Sequence, residues 1–315
     1  MCLQYREAMH ILSAQQFDTE QLDEIFRSAD HFREAVSHDH GRRQLIARYT
    51  GEQLLNLFYE PSTRTRVSFG LAARRLGMGV EGTENAREFS SAAKGETLED
   101  TIRVMDEYQP SIVVLRHHET GAADRAAAVS SVPIINAGDG KGEHPTQAVL
   151  DLYTIKEQRG RLNDLTVVIG GDLAHGRTAR SLAKLLALYS NNNIRFVSTP
   201  DLQIGEDIKT YLEDHGVDHE ETSDMYSALR GADVVYWTRL QKERLDDDSV
   251  GNNFVIDSTA LEVLPDDAII MHPLPRIDEI HQTVDHDPRA VYFRQAGNGM
   301  YIRMALIDKV IQESR

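Results

Sequence analysis

The sequence predicts two α/β domains, each a central parallel sheet flanked by helices. Three observations carry this. Short apolar runs of strand length alternate with helix-period segments along both halves of the chain. The 315 residues suffice for two domains of ordinary size, each with its own core. A long helix opening at Pro145 and stopping near Gly160, close to the midpoint, is the natural crossing element.

The elements follow in order. Leu22, Ile25, Phe26, Ala29 and Phe32 share one face at 3.6 spacing and predict a helix over residues 18–36, with Asp18 and Gln21 as its capping pair. Residues 54–58 read as a strand, and 65–76 as a helix stopped by Gly77. Helices at 98–108 and 122–129 alternate with strands at 112–115 and 132–135. Pro145 suits the first position of a helix reaching residue 158. The second half predicts strands at 167–169, 194–197, 234–237, 254–256 and 269–271. Its helices fall at 178–189, 207–214 and 298–311.

Composition narrows the function. Lys plus Arg is 34 against 50 Asp plus Glu, a net charge of −16, which argues against nonspecific nucleic-acid binding. An anionic small substrate stays open, because a few convergent arginines make a local positive pocket. Cys2 is the one cysteine, so neither an intrachain disulfide nor a cysteine-based zinc site is available. The strongest apolar stretches, such as 111–115 and 165–169, are far shorter than a membrane span. The N-terminal residues show no basic-then-apolar signal pattern, and a soluble, cytoplasmic protein is expected. The run Asp246 to Asp248 reads as a solvated loop tip, and His38 and His40 as surface residues, so no metal is expected.

Five segments carry chemistry, each after a predicted strand, where α/β sheets bind ligands. The first is Phe58-Tyr-Glu-Pro-Ser-Thr-Arg-Thr-Arg66. A helix start leaves backbone N–H groups unpaired, and Ser62, Thr63, Thr65, Arg64 and Arg66 add hydroxyls and charge, a setting for an anion. The second is His144-Pro-Thr-Gln147. His144 can donate to a carbonyl oxygen and Gln147 can bond an amide, though a histidine at a helix start is more often a structural cap. The third, Gly171-Asp-Leu-Ala-His-Gly-Arg-Thr178, has the spacing of a nucleotide-binding P-loop with Arg177 in place of lysine. Arginine is not equivalent in that cradle and suits bidentate grip of a carboxylate better. The fourth, Thr238-Arg-Leu-Gln-Lys-Glu-Arg244, reads alone as a charged surface loop. The fifth, Met271-His-Pro-Leu-Pro-Arg276, has an extended backbone imposed by two prolines, and reads equally as an amide-binding loop or a structural turn. No Ser-His-Asp pattern or cysteine nucleophile is evident, which favours direct transfer between two bound substrates.

Together these motifs resemble the aspartate/ornithine carbamoyltransferase family. The run Ser62 to Arg66 is its carbamoyl-phosphate signature. The segments at His144, Arg239 and His272 look like the aspartate-using branch, since the ornithine branch usually carries a cysteine at the corresponding places of the first and last. The resemblance runs from about Asn56 to Gly299.

The resemblance implies residue roles. Ser62, Thr63, Arg64 and Thr65 would hold the phosphate, joined by Arg116. Thr65, Arg116 and His144 would polarise the carbonyl oxygen. Gln147 and the backbone carbonyls of Pro273 and Leu274 would bind the carbamoyl NH2. Arg177, Arg239 and Gln241 would grip the carboxylates of L-aspartate. Ser90 and Lys94 match a mobile loop that reaches a neighbouring subunit's site; Ala93 stands where the family often has a further lysine. Glu60 would pair with Arg177 and Arg244.

It also implies an assembly. A homotrimer with shared active sites is expected, with a regulatory chain or dihydroorotase as further partner classes. No metal or organic cofactor is expected. Residues 1–145 with the C-terminal helix 298–315 would form the carbamoyl-phosphate-binding domain, 146–297 the aspartate-binding domain, with the active site in the cleft between them.

Overall fold

The computed structural model of the chain describes residues 8–89, 94–140, 142–239 and 254–314. Its contacts divide into two compact units. The first holds residues up to Thr146 and from Gly299 onward, and the second is Gln147–Asn298.

The first unit begins with helices α1 (Thr19–Ser37) and α2 (Asp39–Arg48). The Asp18 carboxylate accepts from the Gln21 N–H at 2.8 Å, and the Gln21 side chain accepts from the Asp18 N–H at 3.1 Å, so the expected capping box forms. The apolar face read from the sequence is buried. Helix α2 is an addition. It buries only Gly41 and Leu45 and so shows no apolar stripe. His38 caps it, accepting from the Gly41 N–H at 3.0 Å.

Strands β1 (Gln53–Phe58), β2 (Gly79–Thr83), β3 (Ile112–His117) and β4 (Ile134–Asp139) form an all-parallel sheet in the order β2-β1-β3-β4. Helices α3 (Thr63–Arg75), α4 (Ala86–Phe89), α5 (Leu98–Glu107) and α6 (Ala122–Val129) connect them. Leu57, Val113, Leu115 and Ile134 meet Ile102 and Ala126 in the core. Strand β2 was not read from the sequence. It lies at the edge, pairs with β1, and has no apolar run. Strand β4 runs further than the expected 132–135. Its buried Asn136 donates to the Leu12 carbonyl at 2.9 Å and accepts from the Gly138 N–H at 2.8 Å. Asp139 accepts from the Gly121 N–H at 2.8 Å. Polar residues continue the strand because each is satisfied inside the unit.

Helix α7 (Pro145–Arg159) leads into the second unit. Strands β5 (Thr166–Gly170), β6 (Asn193–Val197), β7 (Asp218–Thr222), β8 (Val234–Trp237) and β9 (Ile269–Met271) form a parallel sheet in the order β7-β6-β5-β8-β9. Its helices are α8 (Arg177–Leu186), α9 (Glu206–Asp214), α10 (Met225–Leu229), α11 (Ser258–Val263) and the start of α12 (Tyr292–Glu313), whose residues from Gly299 onward belong to the first unit. Val168, Val197, Val235, Trp237 and Ile270 fill the core.

Three elements differ from expectation. Strand β7, Asp-His-Glu-Glu-Thr, has no apolar residue and holds its edge position by pairing with β6. The strand expected at 254–256 is an isolated bridge between Ile256 and Ile280. Helix α12 starts six residues before 298, running through two glycines. Asn298 sits inside it, donating to Thr154 at 3.0 Å and to Glu157 at 2.8 Å.

Candidate active site

In the first unit, parallel strands bring their carboxyl ends to one edge. Phe58 at the end of β1 pairs in register with Arg116 of β3, and His117 pairs with Asp139 of β4. The chain leaves β1 through Glu60 and starts α3 at Thr63. Ser62 is the N-cap, yet its side chain makes no capping hydrogen bond, so the helix start keeps open donors. Thr65 is buried and Thr63 and Arg64 are exposed. Arg64 has no ion pair among the described residues, and desolvation by surrounding atoms lowers its pKa from the ordinary arginine value. Arg66 differs, pairing with Glu84 at 2.9 Å.

Arg116 is held at this edge. Its Nη1 donates to the Ala137 carbonyl at 3.2 Å, and its Nη2 lies 3.6 Å from Glu60. Within the first unit Glu60 therefore stands against Arg116. His144 follows β4 and is buried. Beside Arg116, burial lowers the His117 pKa to about 4, with the stacked His118 adding to the effect. The neutral His117 ring accepts from the Glu119 N–H at 3.0 Å.

In the second unit the same strand-end logic holds. Gly171 follows β5 at φ +114°, and a Cβ there would lie 2.3 Å from the Thr238 carbonyl oxygen. Only glycine admits this close approach. It lets the turn before α8 press against the exit of β8, so the segments of Arg177 and Arg239 are neighbours. Arg177 is the first residue of α8, after an N-cap, Gly176, that makes no side-chain bond.

The P-loop likeness ends at Asp172. This carboxylate is buried in the loop, accepting from the His175 N–H at 3.0 Å and lying 3.1 Å from His175 Nδ1. A buried carboxylate there opposes a polyphosphate.

The loop after β9 is tied from behind. His272 Nδ1 accepts from the Leu274 N–H at 2.8 Å, so its Nε2 carries the proton donated to Glu279, also at 2.8 Å. Burial raises the Glu279 pKa, but the hydrogen bonds from His272 and the backbone outweigh it and leave the pKa lowered. Arg276 donates to Tyr292 at 2.9 Å and to Asp285 at 2.5 Å. Leu274 takes a left-handed φ of +57° in the turn so held. Gln147, on the first turn of α7, donates to Asp151 at 2.8 Å.

Comparison with known proteins decides the family. Residues 9–157 match the domain described as aspartate/ornithine carbamoyltransferase, carbamoyl-P binding domain, and residues 163–310 match the Asp/Orn binding domain. The chain belongs to the aspartate/ornithine carbamoyltransferase family. The chloroplastic aspartate carbamoyltransferase of Oryza sativa subsp. japonica is 53% identical over 310 residues, covering 96% of this chain and 84% of that one. The catalytic subunit of M. jannaschii aspartate transcarbamoylase has a TM-score of 0.89 at 40% identity, covering 96% and 98% of the two chains. Aspartate transcarbamoylase from Trypanosoma cruzi, solved with N-(phosphonacetyl)-L-aspartic acid, has a TM-score of 0.88 at 37% identity, covering 98% and 96%.

Against the family expectation, the first unit gathers Ser62, Thr63, Arg64, Thr65, Arg116 and His144 at its strand ends. The second unit places Gln147, Arg177, Arg239, Pro273 and Leu274 at its own strand exits and the start of α7. Lys94 is described and exposed. Ser90, Gln241 and Arg244 lie outside the described residues, as does the run Asp246 to Asp248. Sequence reasoning missed the residues behind these groups: Asp151, Tyr236 and Glu279. A buried polar residue inside an apolar run was the one available signal, and it does not name its partners.

Proposed function

We propose that this chain transfers the carbamoyl group from carbamoyl phosphate to the amine of L-aspartate, giving N-carbamoyl-L-aspartate and phosphate, an early committed step of de novo pyrimidine synthesis. The observation that carries this reading is the open start of α3, where the unneutralised Arg64 and uncapped Ser62 share a sheet edge with Arg116 and His144. That arrangement suits a phosphate bonded to a carbonyl.

The residues divide the work. Ser62, Thr63, Arg64 and Thr65 hold the phosphate. Arg116, with Thr65 and His144, stabilises the oxyanion that forms as the amine attacks. Glu60 screens Arg116 until phosphate displaces it. Gln147 and the carbonyls of Pro273 and Leu274 accept from the carbamoyl NH2. Arg177, Arg239 and Gln241 hold the two carboxylates of aspartate, a pocket that repels a cationic acceptor side chain.

The amine lone pair forms the new C–N bond. The bond from the carbonyl carbon to the phosphate oxygen then breaks, and the leaving phosphate takes the electron pair and the amine proton. We assign carbamoyl-phosphate binding to the first unit and aspartate binding to the second.

Ser90 and Lys94 serve a neighbouring subunit in a homotrimer. Lys94→Ala and Arg239→Ala, each inactive alone, should recover activity when mixed, because some mixed sites contain neither substitution. No recovery would contradict shared sites. A regulatory chain or dihydroorotase is a further partner class. The multifunctional protein pyr1-3 of Dictyostelium discoideum, 44% identical, carries the matching region as 13% of its length, which supports coupling of this activity to others. Among the described residues no helix is long and apolar enough to cross a membrane. We place the reaction in the cytoplasm, while the rice relative is named chloroplastic.

The direct test is product formation from carbamoyl phosphate with aspartate. A folded chain that binds carbamoyl phosphate yet forms no product with any acceptor amine would point instead to a non-catalytic scaffold.

A further inference from the structure

Asp151 is fully buried on α7, one turn beyond Gln147, and no role assigned above uses it. Its Oδ1 accepts from Gln147 Nε2 at 2.8 Å and from Gln295 Nε2 at 2.7 Å. Its Oδ2 accepts from the Tyr236 hydroxyl at 2.8 Å. Tyr236, itself fully buried, also hydrogen-bonds Thr178, the neighbour of Arg177. The Gln295 side chain completes a chain, its Oε1 accepting from the His272 N–H at 2.9 Å.

Donor counting gives these bonds a direction. A carboxylate only accepts, so both glutamines must turn their NH2 groups toward Asp151. Gln147 then has its Oε1 left to accept from a ligand. A free glutamine amide presents either end with little preference, and with its NH2 outward Gln147 would meet the carbamoyl NH2 donor to donor. The same carboxylate orients Gln295, which through the His272 N–H holds the loop of Pro273 and Leu274. All three groups proposed to accept from the carbamoyl NH2 therefore depend on one buried carboxylate.

We infer that Asp151 is the positioning residue that makes the site selective for a carbamoyl over an acyl phosphate, by fixing the amide of Gln147 and, through Gln295 and His272, the loop of Pro273 and Leu274. This rests on the function proposed above. Acetyl phosphate is the natural probe. It keeps the phosphate and carbonyl and replaces the NH2 by a methyl group, which leaves the acceptors unpaired.

The test compares the affinity of the whole chain for carbamoyl phosphate and for acetyl phosphate by titration calorimetry, with turnover on aspartate measured alongside. The wild type should prefer carbamoyl phosphate, and Asp151→Asn should lose about 10- to 100-fold of that preference, chiefly by weakening carbamoyl phosphate. A purely structural role would lower thermal stability and leave the ratio intact, and that result would overturn the assignment.

Should Asp151→Asn fail to fold, Gln295→Met decides. It spares the Gln147 bond and should cost a smaller, several-fold part of the preference; an unchanged ratio would again contradict the proposal. A wild type that discriminates between the two phosphates but makes no carbamoyl aspartate would remove the proposed function while leaving the binding role of Asp151 standing.

Discussion

The two units assemble their functional groups by different routes. In the first, Ser62, Thr63, Arg64 and Thr65 are consecutive, because a helix start collects neighbouring N–H groups and side chains at one point. In the second, Gln147, Arg177, Arg239 and Leu274 are scattered along the chain, and a buried network around Asp151, Tyr236, Gln295 and His272 holds most of their segments in place. On the roles proposed above, the contrast is between recognising charge and recognising hydrogen-bond direction. Attraction between a cation and a phosphate tolerates imprecise orientation. An amide must present its correct end, and that needs support from behind.

The largest expected effect tests the charge side. Arg64→Ala and Arg116→Ala should each cut turnover about a hundred- to a thousandfold while far-UV circular dichroism stays unchanged. Near-normal turnover by either folded variant would remove it from the anion site. Next is the supporting network. Tyr236→Phe leaves an oxygen of Asp151 without its buried donor and should destabilise the chain by about 1–3 kcal/mol in urea unfolding. It should also raise the aspartate KM several-fold by loosening Thr178 beside Arg177. Wild-type stability and KM together would mean that the second unit needs no such support.

A pH series separates structural from functional groups near Arg116. Folded His117 stays neutral down to about pH 4, while the unfolded chain protonates it near 6.5. Between these values the unfolded state binds the extra proton, so stability falls as pH drops from about 6.5 toward 4 and levels off below. His117→Asn should flatten the fall in melting temperature between pH 7 and pH 5. An undiminished fall would assign that dependence to other groups.

The smallest effect sharpens the comparison inside a single motif. Arg66 pairs with Glu84 at a half-exposed position. Arg66→Gln should cost no more than about 1 kcal/mol of stability and should affect turnover far less than Arg64→Ala. Equal losses at Arg64 and Arg66 would mean that both cations serve the anion.

The sequence made the parallel α/β plan legible because central strands are apolar runs and helices carry their own period. It concealed β2 and β7, since an edge strand such as Asp-His-Glu-Glu-Thr is held by backbone pairing with one neighbour. It suggested too early a stop for β4 and too late a start for α12, because Asn136, Asp139, Gly297 and Asn298 look like loop residues until their partners are known. The candidate site divides in the same way. A contiguous run ending in Arg66 carries its chemistry openly, although the sequence does not distinguish Arg66 from Arg64. Asp151 looks like a surface carboxylate on a helix, and only the fold brings Tyr236 and Gln295 to it.

The most direct measurement supplies the chain with carbamoyl phosphate and, in parallel, aspartate or ornithine, and quantifies the carbamoylated product. The account predicts N-carbamoyl-L-aspartate and no product from ornithine. Carbamoylation of ornithine, or no product from a folded chain that binds carbamoyl phosphate, would contradict it.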